Sequence, residues 1–220
     1  MLIKITFPII LMIFNTELAD AQYFELINQE TERILISLSD GDSLNSSDLT
    51  GLKNFLDSKI DNELSKSFPA VNQKSIDSLI NHLNEFESEM KIISTDSAFV
   101  LFNNWYLHLQ NIFYDYSKQK FFSSSKQKIL LFSTSMSCYC TLKMSREQTV
   151  ELLKFIGDNN DNYDYWIIDS YWFNELQIEY ETLFAPSVIV FNSSNEALYK
   201  IEYEEKMLVQ LTDFFNNNSK

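Results

Sequence analysis

Lys128-Ile129-Leu130-Leu131-Phe132-Ser133-Thr134-Ser135-Met136-Ser137-Cys138-Tyr139-Cys140 runs from a short apolar block into a polar turn that carries both cysteines of the chain. Large apolar residues in an unbroken run, bounded by polar ones, predict a buried strand over Lys128–Phe132. Downstream the pattern alternates. Ser145 to Ile156 reads as a helix, with Ser145 and Gln148 in capping-box register and Thr149, Val150, Leu153 and Ile156 on its inner face. Tyr165 to Ile168 is a second strand, and Phe173 to Phe184 a second helix with Leu176, Tyr180, Leu183 and Phe184 on one side. Pro186 then leads into Ser187-Val188-Ile189-Val190-Phe191, the turn Asn192-Ser193-Ser194-Asn195 reverses the chain, and Leu198 to Tyr203 pairs back as a hairpin. Met207, Leu208, Leu211, Phe214 and Phe215 give a final helix its apolar face.

Upstream of this block the apolar residues recur at three- and four-residue spacing, which predicts helices. One stripe is Phe24, Ile27, Ile34, Leu38; a second is Leu49, Leu52, Leu56, Ile60; a third is Ile76, Leu79, Ile80, Leu83, Phe86, Met90. A fourth, from Ser97 to Tyr116, is the richest in Phe, Trp, Tyr and Leu and is expected deepest in the packing. Breaks fall at Ser39-Asp40-Gly41-Asp42, at Phe68-Pro69-Ala70 and near Ser94-Thr95-Asp96. The polar, lysine-bearing stretch 118–127 reads as a solvated linker. The expected organisation is a signal peptide over 1–21, a helical domain over 22–117, this linker, and an α/β domain over 128–217.

Near its start the chain carries one lysine, Lys4, then an apolar run from Ile5 to Phe14 and a polar segment ending Ala19-Asp20-Ala21. A charged start, a short apolar core and a small-x-small end predict export with cleavage after Ala21, to the periplasm or the cell exterior; a retained anchor is the rival reading. After cleavage no membrane span is expected. Acidic residues number 31 against 17 basic ones, which disfavours nucleic acid as a partner. Three scattered glycines exclude a phosphate-cradling loop.

The order strand, two-cysteine turn, helix, strand, helix, proline, hairpin and helix resembles the thioredoxin superfamily. Ile129 to Cys140 and Phe184-Ala185-Pro186-Ser187-Val188-Ile189-Val190-Phe191 carry the resemblance. In that family the second stretch begins with a cis-proline. The resemblance therefore implies a thioredoxin-like fold, a cis Ala185-Pro186 bond facing the cysteines, and Ala185, Pro186 and Tyr139 presented to an extended substrate. It also implies thiol-disulfide exchange with client protein thiols or disulfides. The usual family motif is Cys-x-x-Cys. Here Ser137 stands at the place of its first cysteine, Cys140 at that of its second, Met136 replaces the usual tryptophan, and Leu131 occupies the place of a buried acid.

Cys138 and Cys140 are the only cysteines, so in an oxidising compartment each is the other's default partner. Their Cα atoms lie within about 7 Å, which permits a bridge if the chain turns at Tyr139. Cys138 is the expected nucleophile and Cys140 the resolving thiol, with the reverse assignment open because Cys140 keeps the family position. A helix beginning at Ser145 would leave Cys140 short of its dipole. Two other readings stand beside exchange: a binding module whose bridge only pins the loop, and a Cu(I) site using both thiolates with Met136 and Met144 nearby. A zinc site is weaker still, since two ligands are too few and both histidines, His82 and His108, sit in the helical region as structural or surface residues; no cofactor is expected. Asp158 to Asp164 resembles a calcium loop only superficially, lacking its glycine and closing glutamate. Tyr163, Tyr165, Trp166, Tyr171, Trp172 and Phe173 are core packing, or a peptide-binding rim if several face solvent. The aromatic fourth helix offers the helical domain a surface for a homodimer or a client.

Overall fold

The structure is a computed structural model that describes residues 7–57, 62–159 and 162–218, with side chains described from Tyr23 and not at Asn62 and Glu63. The expected leader and its cleavage point thus lie outside the residues whose side chains are described, as does Ile60. Among the described residues six helices precede the sheet: α1 (Phe7–Ser39), α2 (Thr50–Asp57), α3 (Asn62–Ser67), α4 (Gln73–Glu89), α5 (Thr95–Ile112) and α6 (Tyr114–Ser123). The predicted breaks fall where local chemistry ends or begins a helix. Gly41 takes φ of +90° after α1, a left-handed conformation suited to a residue without a Cβ. Asn72 and Ser94 cap α4 and α5 by accepting the Ser75 and Ser97 amides.

The sheet comprises β1 (Gln127–Ser133), β2 (Tyr163–Asp169), β3 (Ser187–Phe191) and β4 (Ala197–Glu202), in the order β2-β1-β3-β4. β1 runs parallel to β2, pairing Leu130 with Trp166, and antiparallel to β3, pairing Leu130 with Ile189. β3 and β4 form the predicted hairpin, closed by Asn192, whose Oδ1 accepts the Ser194 and Glu196 amides, each at 2.9 Å. Among the described residues three further helices, α7 (Tyr139–Gly157), α8 (Glu175–Glu179) and α9 (Met207–Asn218), alternate with and follow the strands.

β1 is buried from Lys128 to Ser133 because both faces of the sheet are covered. Ile129 and Leu131 belong to one core with side chains from α1, α5, α7 and α9. Leu130 and Phe132 pack on the other face with Tyr114 and Phe121 of α6, Trp166 and Leu176. Lys128 is enclosed, and its Nζ donates to the carbonyls of Ser124 (2.9 Å), Lys126 (3.3 Å) and Ser193 (3.4 Å).

Several expectations are corrected. The fourth stripe is two helices, α5 and α6, meeting at Phe113. Residues 118–123 of the expected linker are the second half of α6, and Phe121, only 2% exposed, seals the sheet's second face. The polar residues of this stretch mark one face of an amphipathic helix rather than a solvated tether. The helix expected from Ser145 begins at Tyr139, with Ser145 buried in its interior and Gln148 donating from Nε2 to the Glu204 carbonyl at 2.7 Å. The helix expected over Phe173–Phe184 is the short α8, ended near Glu181, where φ is +53°.

The helical region and the sheet share a core. Gln110 donates to Asn28 Oδ1 at 2.7 Å, Asn28 donates to Tyr165 Oη at 3.2 Å, and Tyr106 (3.4 Å) and Tyr165 both donate to Glu32. This knot of polar groups ties α1 and α5 to β2, so packing continues across the division expected between residues 117 and 128. Among the described residues no helix is long and apolar enough to cross a membrane.

Candidate active site

The turn between β1 and α7 is held from below by Asp169, at the end of the neighbouring strand. Its Oδ1 accepts the amides of Ser135 (3.0 Å) and Tyr171 (3.2 Å), while the Ser133 carbonyl accepts the amide (2.9 Å) and hydroxyl (2.8 Å) of Ser170. Thr134 Oγ1 donates to the Met136 carbonyl at 3.0 Å. The chain leaves this clamp in extended conformation at Cys138 (φ −68°, ψ 158°), which is the N-cap of α7. The first intrahelical bond runs from the Leu142 amide to the Cys138 carbonyl at 3.0 Å.

That position decides the chemistry of the thiol. Cys138 Sγ lies where a serine or aspartate oxygen would cap the helix, at the positive end of its dipole. It is 2.9 Å from Cys140 Sγ and 3.2 Å from Thr141 Oγ1. These donors, Cys140 first and Thr141 second, with the Thr141 and Cys140 amides adding to them, bring the Cys138 pKa down to about 6. The amides face the sulfur without strict cap geometry, yet their field favours the anion. Both sulfurs are exposed and free. The expectation that Cys140 falls short of the dipole is thereby corrected, since α7 starts at Tyr139 and Cys140 lies in its first turn.

Thr141 is itself held. Its Oγ1 is 3.0 Å from Tyr203 Oη, and the Tyr203 amide donates to the Pro186 carbonyl at 2.9 Å. Tyr203, with φ of +47°, thus ties the start of α7 to the proline loop. The Ala185-Pro186 bond is cis.

A groove of about 840 Å³ runs between these two segments, with Met136, Ser137 and Thr141 on one side and Leu183, Phe184, Ala185 and Tyr203 on the other. Ala185 lines it as a substrate-facing residue would. Pro186, Tyr139 and the two cysteines are not among its lining residues, and Tyr139 stands 77% exposed beside it. The rim is apolar and open: Met136, Tyr171, Trp172, Leu183 and Phe184 are each more than half exposed. The aromatic cluster read from the sequence therefore divides, with Trp166 buried and Tyr171 and Trp172 solvent-facing.

Thr141, Tyr203 and Asp169 were not legible as site residues. Each acts through a partner brought near by folding, and only the buried register of Asp169 after an apolar strand hinted at a special place.

No protein-family model matches the chain, and no curated protein matches it. Among solved structures the chain is similar to a designed protein known from a crystal structure, at 14% identity and a TM-score of 0.35, over 46% of this chain and 86% of that one. A second designed protein, known from backbone chemical-shift assignments, is similar at 16% identity and a TM-score of 0.34, over 48% and 84% of the respective chains.

Proposed function

We propose that the C-terminal part of the chain is a thioredoxin-like domain, and that the protein is an exported thiol-disulfide oxidoreductase working through Cys138 and Cys140. One observation carries the reading: Cys138, the N-cap residue of α7, holds its Sγ within 2.9 Å of Cys140 Sγ and 3.2 Å of Thr141 Oγ1, with its pKa lowered to about 6. Mostly ionised at neutral pH and exposed, it is the thiol suited to attack.

In the reductive direction the Cys138 thiolate attacks one sulfur of a client disulfide. A Cys138–client bond forms, the client S–S bond breaks, and the departing client thiolate takes a proton from solvent. Cys140 then loses its proton and attacks Cys138 Sγ, which releases the second client thiol and leaves the Cys138–Cys140 disulfide. Two electrons pass to the client, and the protein becomes oxidised by the same two. The reverse sequence oxidises a client dithiol. The sulfurs start 2.9 Å apart, and the bond that joins them is about 2.05 Å long. The apolar rim supplies a docking surface for an extended, hydrophobic client segment beside Ala185.

The test is turnover of a model protein disulfide by the full chain with a dithiol reductant. Cys138→Ser should abolish it, and Cys140→Ser should stall the reaction as a trapped mixed disulfide on Cys138. Turnover surviving in both variants would exclude exchange chemistry at this pair.

A further inference from the structure

The two histidines of the chain, His82 and His108, lie on different helices, and the packing of α4 on α5 brings them together. Their ring centroids are 5.5 Å apart, with planes inclined by 69°. Two imidazoles that share one ion through nitrogens at about 2.0–2.1 Å have ring centres roughly 4.5–5.5 Å apart, depending on the angle at the metal. The observed centroid spacing falls at the upper edge of that range.

The surroundings fit a cation. Both rings line a groove of about 320 Å³ that also includes Glu85, Glu89, Asn104 and Trp105. Glu85 and Glu89 follow His82 at helical spacing along α4 and add negative potential at the mouth. His108 Nε2 is shielded from solvent and has no hydrogen-bond partner, a state that a native fold rarely leaves unexplained. His82 is exposed, so its side chain is free to turn a nitrogen toward a shared ion.

We propose that His82 and His108 form a bis-imidazole site for a divalent transition-metal ion, bridging α4 and α5. Among the described residues no group of three or more His, Cys, Asp or Glu side chains is placed to hold a metal. The proposed site thus draws on the two imidazoles alone, with water from the groove in the remaining positions. Imidazole nitrogen selects Cu(II), Ni(II) and Zn(II) over oxygen-seeking Mg(II), with Cu(II) the tightest. The site shares no residue with the cysteine pair and stands whatever the fate of the exchange reading.

The test uses the full chain carrying Cys138→Ser and Cys140→Ser, so that no thiol binds or reduces the probe. CuCl2, NiCl2, ZnCl2 and MgCl2 are titrated at neutral pH by calorimetry and by tryptophan fluorescence, for which Trp105 is the reporter within the groove. One Cu(II) per chain is expected to bind with Kd below about 0.1 mM, tighter than Ni(II) or Zn(II), with no response to Mg(II). His82→Ala and His108→Ala should each weaken Cu(II) and Ni(II) at least tenfold, and Trp105→Phe should reduce the quench while leaving the heat. The exposed position of His82 keeps its variant informative even if His108→Ala proves unstable. Absence of saturable Cu(II) binding, or parental affinity in His82→Ala, would overturn the proposal.

Discussion

Replacing Thr141 by valine keeps the shape of a nearly buried side chain while removing the hydroxyl that faces Cys138 Sγ at 3.2 Å and Tyr203 Oη at 3.0 Å. The parent thiol, with its pKa brought down to about 6, should be roughly 90% ionised at pH 7, against about 3% for an ordinary cysteine. Cys140 is the first contributor to the shift and Thr141 the second, so Thr141→Val should raise the midpoint by roughly one pH unit and leave the rest in place. At pH 6 the ionised fraction then falls about fivefold, and at pH 7 about twofold. Reactivity changes in a second, opposite way. A thiolate of higher pKa is the better nucleophile, and one unit is worth about threefold at a Brønsted slope of 0.4–0.5. The first-step rate with a small disulfide, followed by release of its chromophoric thiol from pH 4 to 10, should therefore show a midpoint shifted up by about one unit and an alkaline plateau raised about threefold. Thiolate absorbance in the ultraviolet gives the midpoint independently. A parent midpoint above pH 8, or a midpoint indifferent to Thr141→Val, would refute the account of Cys138 as a capped, hydrogen-bonded thiolate.

Glu32 carries a pH dependence of its own. Burial raises its pKa from 4.5 to about 7 against the opposing hydrogen bonds of Tyr165, Asn28 and Tyr106. A carboxyl bound more tightly to its proton in the folded state stabilises fully below its unfolded pKa and loses that contribution as pH rises through about 7, a swing of about 3 kcal/mol at most. Glu32→Gln should flatten the difference between denaturant midpoints at pH 5 and pH 8; an undiminished slope in the variant would assign the dependence elsewhere. Leu183 and Phe184 are exposed on the groove's rim, so the double change to alanine should leave thermal stability and exchange with a small disulfide unaltered. It should raise KM for a disulfide within an apolar peptide severalfold, and an unchanged KM would remove the rim from client docking.

Periodicity and turn chemistry were enough to place most elements. Ile129 to Phe132 reads as a strand because no amphipathic helix tolerates such a run between polar neighbours, and Ser187 to Phe191 with Asn192–Asn195 reads as half a hairpin for the same reason. The start of α7 was misread because Ser145 and Gln148 imitate a capping box. Their real neighbours, the sheet and the Glu204 carbonyl, lie far away in sequence, so local spacing had no means to reveal them. The segment 118–127 was misread because its serines and lysines dominate the composition, whereas one buried ring, Phe121, decides where it packs.

The sequence by itself determined the pair of cysteines, the strand before them and the proline opposite, because each is a local pattern of residue types. Only the tertiary structure decided that Tyr203 reaches Thr141 beside Cys138, that Asp169 holds the turn before it, and that His82 meets His108. Those relations depend on distances between segments remote along the chain, and such distances are settled by the packing of helices and sheet around a shared core.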